Sequence, residues 1–187
     1  AFLFSLGLFC IVQFKYGLFT GKVGYIVNRD LPYVAETAVT LVGNALGTLI
    51  AALLLRQVRF FTSTVSTMDV TISDRVQATV DGKIHDNPLS IFILAIFCGI
   101  LMFTAVEGSR KCKEEKNFAG SLFVVVMPVM VFIICGFNHC IADMFYYFFA
   151  GCPEPSKAIV YFILAIAGNS VGGMIVPLLK KLSNQPL

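Results

Sequence analysis

The sequence predicts an all-α integral membrane protein, an inverted-repeat helical bundle with two broken transmembrane helices. Three observations lead there. Of the 187 residues, 57% are hydrophobic and 13% are charged, with mean hydropathy +0.83. Soluble domains run at roughly 45–50% apolar and about 25% charged. Five apolar stretches are each long enough to cross a bilayer, which takes about 20 residues. Finally, two stretches in the first third of the chain resemble two in the last third.

The spans fall at roughly 1–27, 34–55, 89–107, 121–150 and 158–179, and no linker divides them, so 1–187 reads as a single transmembrane domain, one bundle. The first span is interrupted near "QFKYGLFTGK" and the fourth near "GFNHC". The long polar connection 56–88, rich in Ser, Thr and Asp, is expected outside the bilayer with a short helix of its own. The chain opens "AFLFSLGLFC", with no basic region ahead of the apolar run. That is expected of a span entered part-way, with an N-terminal segment lost, rather than of a signal peptide.

Charge sets the orientation. Lys22, Arg29, Arg110, Lys111, Lys113, Lys116, Lys180 and Lys181 gather on one side with the C-terminus. Arg56, Arg59, Arg75, Lys83 and Lys157 are spread along the other. The denser side, with the C-terminus, is expected in the cytoplasm. A net charge of +3, without basic runs interleaved with aromatics, gives no reason to expect nucleic acid. The six cysteines form no CxxC pair, so neither a disulfide framework nor a zinc ribbon is indicated. They read as small buried hydrophobes.

The internal repeat is the next signal. "GNALGTLIAALL" (43–54) resembles "GNSVGGMIVPLL" (168–179). Ahead of each, "FCIVQFKYGLF" (9–19) and "FIICGFNHCIA" (132–142) break around Phe14 and Phe137. An odd number of spans separates the copies, so they run in opposite directions, as in transporters with a discontinuous helix in each half. Three spans plus three would be natural; two plus three are visible.

Polar residues inside apolar spans mark candidate sites, because they are costly there. The glycines of "GNALG" and "GNSVG" allow close helix packing, while Asn44 and Asn169 act either as helix-to-helix glue or as pore lining. Cys135, His139 and Asp143 are four apart and share a face if the helix is continuous. As metal ligands they would form a stack about 12 Å long, too long for one tetrahedral ion. His139 is either a satisfied structural histidine or a group at a permeation site, where an imidazole titrating near neutrality suits proton-linked transport. In the first break, Gly17 and Thr20 suit backbone that leaves the helix and must be satisfied inside a cavity. Lys15 stands beside them.

Four stretches, "FSLGLF…LFTG" (4–21), "GNALGTL" (43–49), "GFNHCIADMF" (136–145) and "GNSVGG" (168–173), resemble in order the landmark stretches of the formate/nitrite transporters. The resemblance covers essentially the whole chain, and the stretch around His139 is its most specific part. It implies an aquaporin-like fold of six spans, of which this chain matches the second to the sixth, in a homopentamer with a pore through each protomer. By position it implies pore constrictions at Phe4, Leu8, Leu18, Phe19 and Phe132, a loop threonine at Thr20 and a central histidine at His139. Lys83, in "DGKIHDNPL", matches the lysine before the fourth family span. Two positions depart from the family pattern. Asn138 stands where formate channels often carry Glu, and Gly99 where an Asn is common.

The expected function is a channel or transporter for small monovalent anions such as formate, nitrite or hydrosulfide, in a bacterial inner membrane, without cofactor or metal. Thr20, Lys83, Asn138, His139, Asn44 and Asn169 are its expected pathway residues. The alternatives are a neutral-solute pore, a structural bundle that transports nothing, or a membrane metalloenzyme using Cys135, His139 and Asp143.

Overall fold

The computed structural model describes residues 2–59, 64–65 and 70–184. Eight helices follow in order: α1 Phe2–Phe14, α2 Phe19–Lys22 with a 3-10 turn over Val23–Asn28, α3 Leu31–Arg56, α4 Ile72–Ile84, α5 Pro88–Glu114, α6 Phe118–Ile134, α7 Cys140–Phe149 and α8 Pro155–Leu182. The polar connection holds α4 and a two-residue antiparallel pairing of Thr64–Val65 with Val70–Thr71.

Among the described residues, α3, α5 and α8 are long and apolar enough to span a membrane, and α1 with the α2 segment makes a fourth span bent by 57°. The fourth expected span is divided between α6 and α7, each too short alone. The third, expected to stop at Glu107, runs on to Glu114. All six cysteines are free, but only Cys98 and Cys140 are buried; Cys135 and Cys152 are exposed, which departs from the expectation of uniformly buried thiols.

The two breaks are built alike. At the end of α1, Lys15 takes the left-handed conformation (φ 57°) and the Tyr16 N–H reaches back to the Ile11 carbonyl at 3.0 Å. After α6, Gly136 does the same (φ 68°) and the Phe137 N–H reaches the Phe132 carbonyl at 2.9 Å. This closure satisfies carbonyls that a helix end leaves orphaned. A side chain in that conformation costs roughly 1–2 kcal/mol, which Gly136 avoids and Lys15 does not. The structural counterpart of Phe137 is therefore Tyr16. The sequence pairing of Phe14 with Phe137 is two residues out of register.

The asparagines complete the repeat. Asn44 accepts from the Phe19 N–H at 2.9 Å and donates to the Gly17 carbonyl at 2.9 Å. Asn169 accepts from the Cys140 N–H at 2.9 Å and donates to the carbonyls of Asn138 and Ala95, each at 2.8 Å. Each amide thus clamps the two exposed backbone groups where a helix restarts inside the apolar layer, where nothing else could satisfy them. His139 stands in the second half where Leu18 stands in the first.

The core sits between α5 and α8, which meet backbone to backbone. A Cβ on Gly99 would lie 2.4 Å from the Asn169 carbonyl oxygen, and one on Gly172 would lie 2.0 Å from that of Ile96. An asparagine at position 99 has no room here. Gly99→Ala is expected to force the two helices apart and lower stability by about 3 kcal/mol, the upper range for overpacking, read as a lower melting temperature in detergent. Gly43 and Gly47, the α3 counterparts of Gly168 and Gly172, have nothing within 4 Å. The α3 face that answers the α8 packing face is uncovered.

Candidate functional site

The site forms where the two broken helices meet. His139 is the N-cap of α7: extended backbone (φ −105°, ψ 103°) lets its Nδ1 accept from the Ala142 N–H at 3.0 Å. A ring nitrogen that accepts carries no proton. The neutral ring therefore bears its hydrogen on Nε2, which lies 3.0 Å from Thr20 Oγ1 on α2. With the threonine oxygen accepting, its own hydroxyl hydrogen is left to donate elsewhere. Phe132, from the end of α6, stacks on the imidazole with centroids 5.5 Å apart and planes within 19°. Phe4 of α1 meets Phe132 edge-on at 5.9 Å. His139 and Thr20 are both buried.

Three cavities lie in series, two of them lined by His139. The one beside α4, labelled outer by that position alone, is about 300 Å³ and is lined by Arg75, Thr79, Lys83, Asp143 and His139. The central one, about 430 Å³, is almost wholly apolar and has Leu8, Leu18, Phe132 and His139 in its wall. Phe4 and Phe132 belong to both, so the outer and central cavities meet at those rings. The inner cavity, about 460 Å³, shares Ile11 and Leu18 with the central one. Its remaining wall holds Lys15, Lys22, Arg110 and Lys113 against Glu36. An apolar middle is thus flanked by a cation-bearing cavity at each end.

Lys83 is held at the outer mouth by α4. That helix starts with a capping box, in which the Thr71 hydroxyl accepts from the Asp74 N–H at 3.1 Å and the Asp74 carboxylate accepts from the Thr71 N–H at 3.1 Å. The Thr71 hydroxyl and backbone bonds hold the Asp74 carboxyl below its usual value. A depressed carboxyl adds stability that is present above its unfolded value and lost as pH falls through the folded one, so this cap stays closed from neutral into mildly acid conditions. The Lys83 ammonium donates to Asn138 Oδ1 at 2.7 Å and pairs with Asp143 Oδ1 at 3.3 Å. The Tyr161 hydroxyl donates to the same carboxylate at 2.6 Å.

Several expected pathway residues stand elsewhere. Phe19 is buried and lines none of the three cavities. It follows Leu18 by one residue, and at the start of a helix the two side chains diverge. Asn44, Asn138 and Asn169 also line none of them; their amides are consumed by the backbone clamps and by Lys83. Thr20 reaches the cavities only through His139. The helix-end N–H groups are likewise occupied: that of Phe19 by Asn44, that of Cys140 by Asn169, that of Ala142 by His139. Cys135, His139 and Asp143 do not form one stack, because the break separates exposed Cys135 from the other two and Asp143 faces Lys83. Among the described residues, the cluster able to hold a metal is Asp81, His85 and Glu154, all exposed. The Lys157 ammonium already sits 2.7 Å from Glu154, and its hydrogen bond is the main reason that the Glu154 carboxyl lies below its usual value.

Sequence reasoning missed three participants. Tyr161 gave no signal beyond being one tyrosine in an apolar run. In the sequence Asp143 stands out only as a candidate metal donor, and Lys15 carries no assigned role. The signal available for Asp143 was a carboxylate in an apolar span, which requires a cation that the short list of intramembrane-facing lysines could have supplied.

Comparison with known proteins gives the chain its family. The family model described as formate/nitrite transporter matches residues 1–181. Formate channel FocA of Haemophilus influenzae is 29% identical over 144 residues, 76% of this chain and 50% of that protein. The uncharacterized transporter YrhG of Bacillus subtilis is 28% identical over 186 residues, 94% of this chain and 66% of that one. The chain spans about half the length of the formate channels it matches. A solved structure titled pentameric formate channel with formate bound superposes with a TM-score of 0.76 at 25% identity, covering 97% of this chain and 80% of the other. Another, titled FNT family ion channel, gives 0.80 at 16% identity, covering 98% and 75%, and speaks to the fold alone. These relatives are named as channels and transporters, none as an enzyme. On the match of its family model over nearly the whole sequence, the chain belongs to the formate/nitrite transporter family.

Proposed function

We propose that the protein conducts small monovalent anions, formate, nitrite or hydrosulfide, through each protomer of a homopentamer in a bacterial inner membrane, with its C-terminus in the cytoplasm. The observation that carries this is the His139–Thr20 pair, buried at 3.0 Å between apolar walls, with a lysine-bearing cavity at either end. Relatives named as formate channels and a neighbour titled as pentameric with formate bound support the substrate class and the assembly.

Lys83 raises the local anion concentration at the outer mouth, as a charged cleft does for its substrate. Moving on, the permeant meets Phe4 and Phe132 and must shed water. An unpaired charge in such a slit is heavily penalised. The anion therefore takes a proton from the water of the outer cavity and crosses as the weak acid, anion and proton together. As the permeant passes, the Nε2–H of His139 turns from Thr20 to it and replaces part of the lost hydration, since the helix-end N–H groups are already paired. Leu8 and Leu18 seal the far side of the central cavity, and the permeant gives its proton to the water of the inner one, where Lys15, Lys22 and Lys113 favour the anion.

Uptake by proteoliposomes across formate, nitrite, lactate and hydrosulfide tests the reading. Saturable uptake of at least one anion above protein-free liposomes, rising as pH falls from about 8 to 5, is expected. Uptake of a neutral solute with none of the four anions would replace it with a neutral pore.

A further inference from the structure

Lys83 does not face the outer cavity as a bare cation. Its ammonium makes two contacts with one buried carboxylate, Asp143, at 3.3 and 3.5 Å, besides its bond to Asn138. Asp143 is only 5% exposed and is pinned from α8 by Tyr161. Both members of the pair line the same cavity as His139, with Arg75 as the other charged side chain in that wall. A carboxylate beside a permeant anion repels it. In a chamber built to gather anions it needs a reason.

We infer that Asp143 is a specificity-determining residue that sets the charge of the outer mouth, holding Lys83 in place while weakening its grip on the anion. This rests on the anion reading above. The physical logic is release. A conducting site must bind well enough to admit its ion and weakly enough to let it go. A lone ammonium beside an apolar slit would trap an anion, and a neutralised one passes it on. Tyr161 acts with Asp143: its hydroxyl fixes the carboxylate so that it cannot swing away from Lys83.

The test uses variants that change charge with little change of shape. Asp143→Asn keeps an oxygen for Lys83 and Tyr161 but removes the negative charge. Formate uptake by this variant should half-saturate at about a tenfold lower concentration, the scale of one charge acting through partly aqueous surroundings, with maximal rate unchanged or reduced. A purely structural role would instead lower the maximal rate and leave half-saturation where it was. Lys83→Met leaves Asp143 unpaired and should raise half-saturation strongly; adding Asp143→Asn to it should reverse most of that rise. The double variant also serves if Asp143→Asn alone does not fold. An unchanged or raised half-saturation in folded Asp143→Asn, or no rescue of Lys83→Met, overturns the inference while wild-type uptake leaves the anion reading standing. Absence of wild-type anion uptake overturns both.

Discussion

Replacing His139 with phenylalanine is expected to abolish anion flux and leave a folded assembly. Phenylalanine keeps the flat ring against Phe132, so the stacking at 5.5 Å survives. Two things are lost. The Ala142 N–H loses its cap, a cost of about 1 kcal/mol typical of helix N-caps. Thr20 loses its buried partner, and the permeant loses the Nε2–H that stands in for water. Leaving a buried polar group without its partner costs about 1–3 kcal/mol, and each 1.4 kcal/mol is tenfold, so flux should fall roughly 10- to 100-fold. His139→Asn separates the two losses. Asparagine is a good N-cap and should restore stability. It cannot reach Thr20, so flux stays low, while the rise with falling pH, which follows the weak-acid form of the permeant, persists. Formate uptake into liposomes reads both variants. Wild-type flux in both variants would make His139 a structural residue only.

The second large effect is on folding. Asn169→Leu is expected to prevent recovery of folded protein. Its amide serves the Cys140 N–H and the carbonyls of Asn138 and Ala95, all buried. Leucine leaves three groups unsatisfied, at about 1–3 kcal/mol each, and adds volume where α8 touches the backbone of α5. Asn44→Leu makes the same deletion in the other half but orphans two groups at a partly exposed clamp. It should be the milder lesion by several degrees of melting temperature. Yield and melting of the two variants by size-exclusion chromatography and thermal shift check this. Equal behaviour of the two would mean that the clamps do not carry the breaks.

The breaks themselves were legible because each interrupts an apolar run with residues that oil does not tolerate. "QFKYG" and "GFNHC" announce helix ends at Phe14 and Ile134. The paired asparagines were legible too, since an amide in each half at equal depth has to bond something. Which groups they bond was not: side-chain bonds to backbone 25 to 74 residues away leave no trace in local periodicity. The register of the repeat slipped by two because Phe14 and Phe137 look alike, whereas the turn equates positions by left-handed backbone, Lys15 with Gly136. The stack of Cys135, His139 and Asp143 failed for a related reason. Spacing by four places residues on one face only while the helix continues, and here it stops at Ile134. Phe19 was carried by resemblance to the constriction, yet its neighbour Leu18 is the residue in the cavity wall. The pairing of Asp143 with Lys83 across α4 and α7 needed the fold, because 60 residues separate them.

The most direct measurement follows the internal pH of proteoliposomes as an inward formate gradient is applied, together with formate uptake. Passage as the weak acid predicts that each formate taken up delivers one proton, so the interior acidifies in step with uptake and no membrane potential builds. Uptake that charges the membrane, with internal pH unmoved, would contradict passage of anion and proton together past His139 and Thr20.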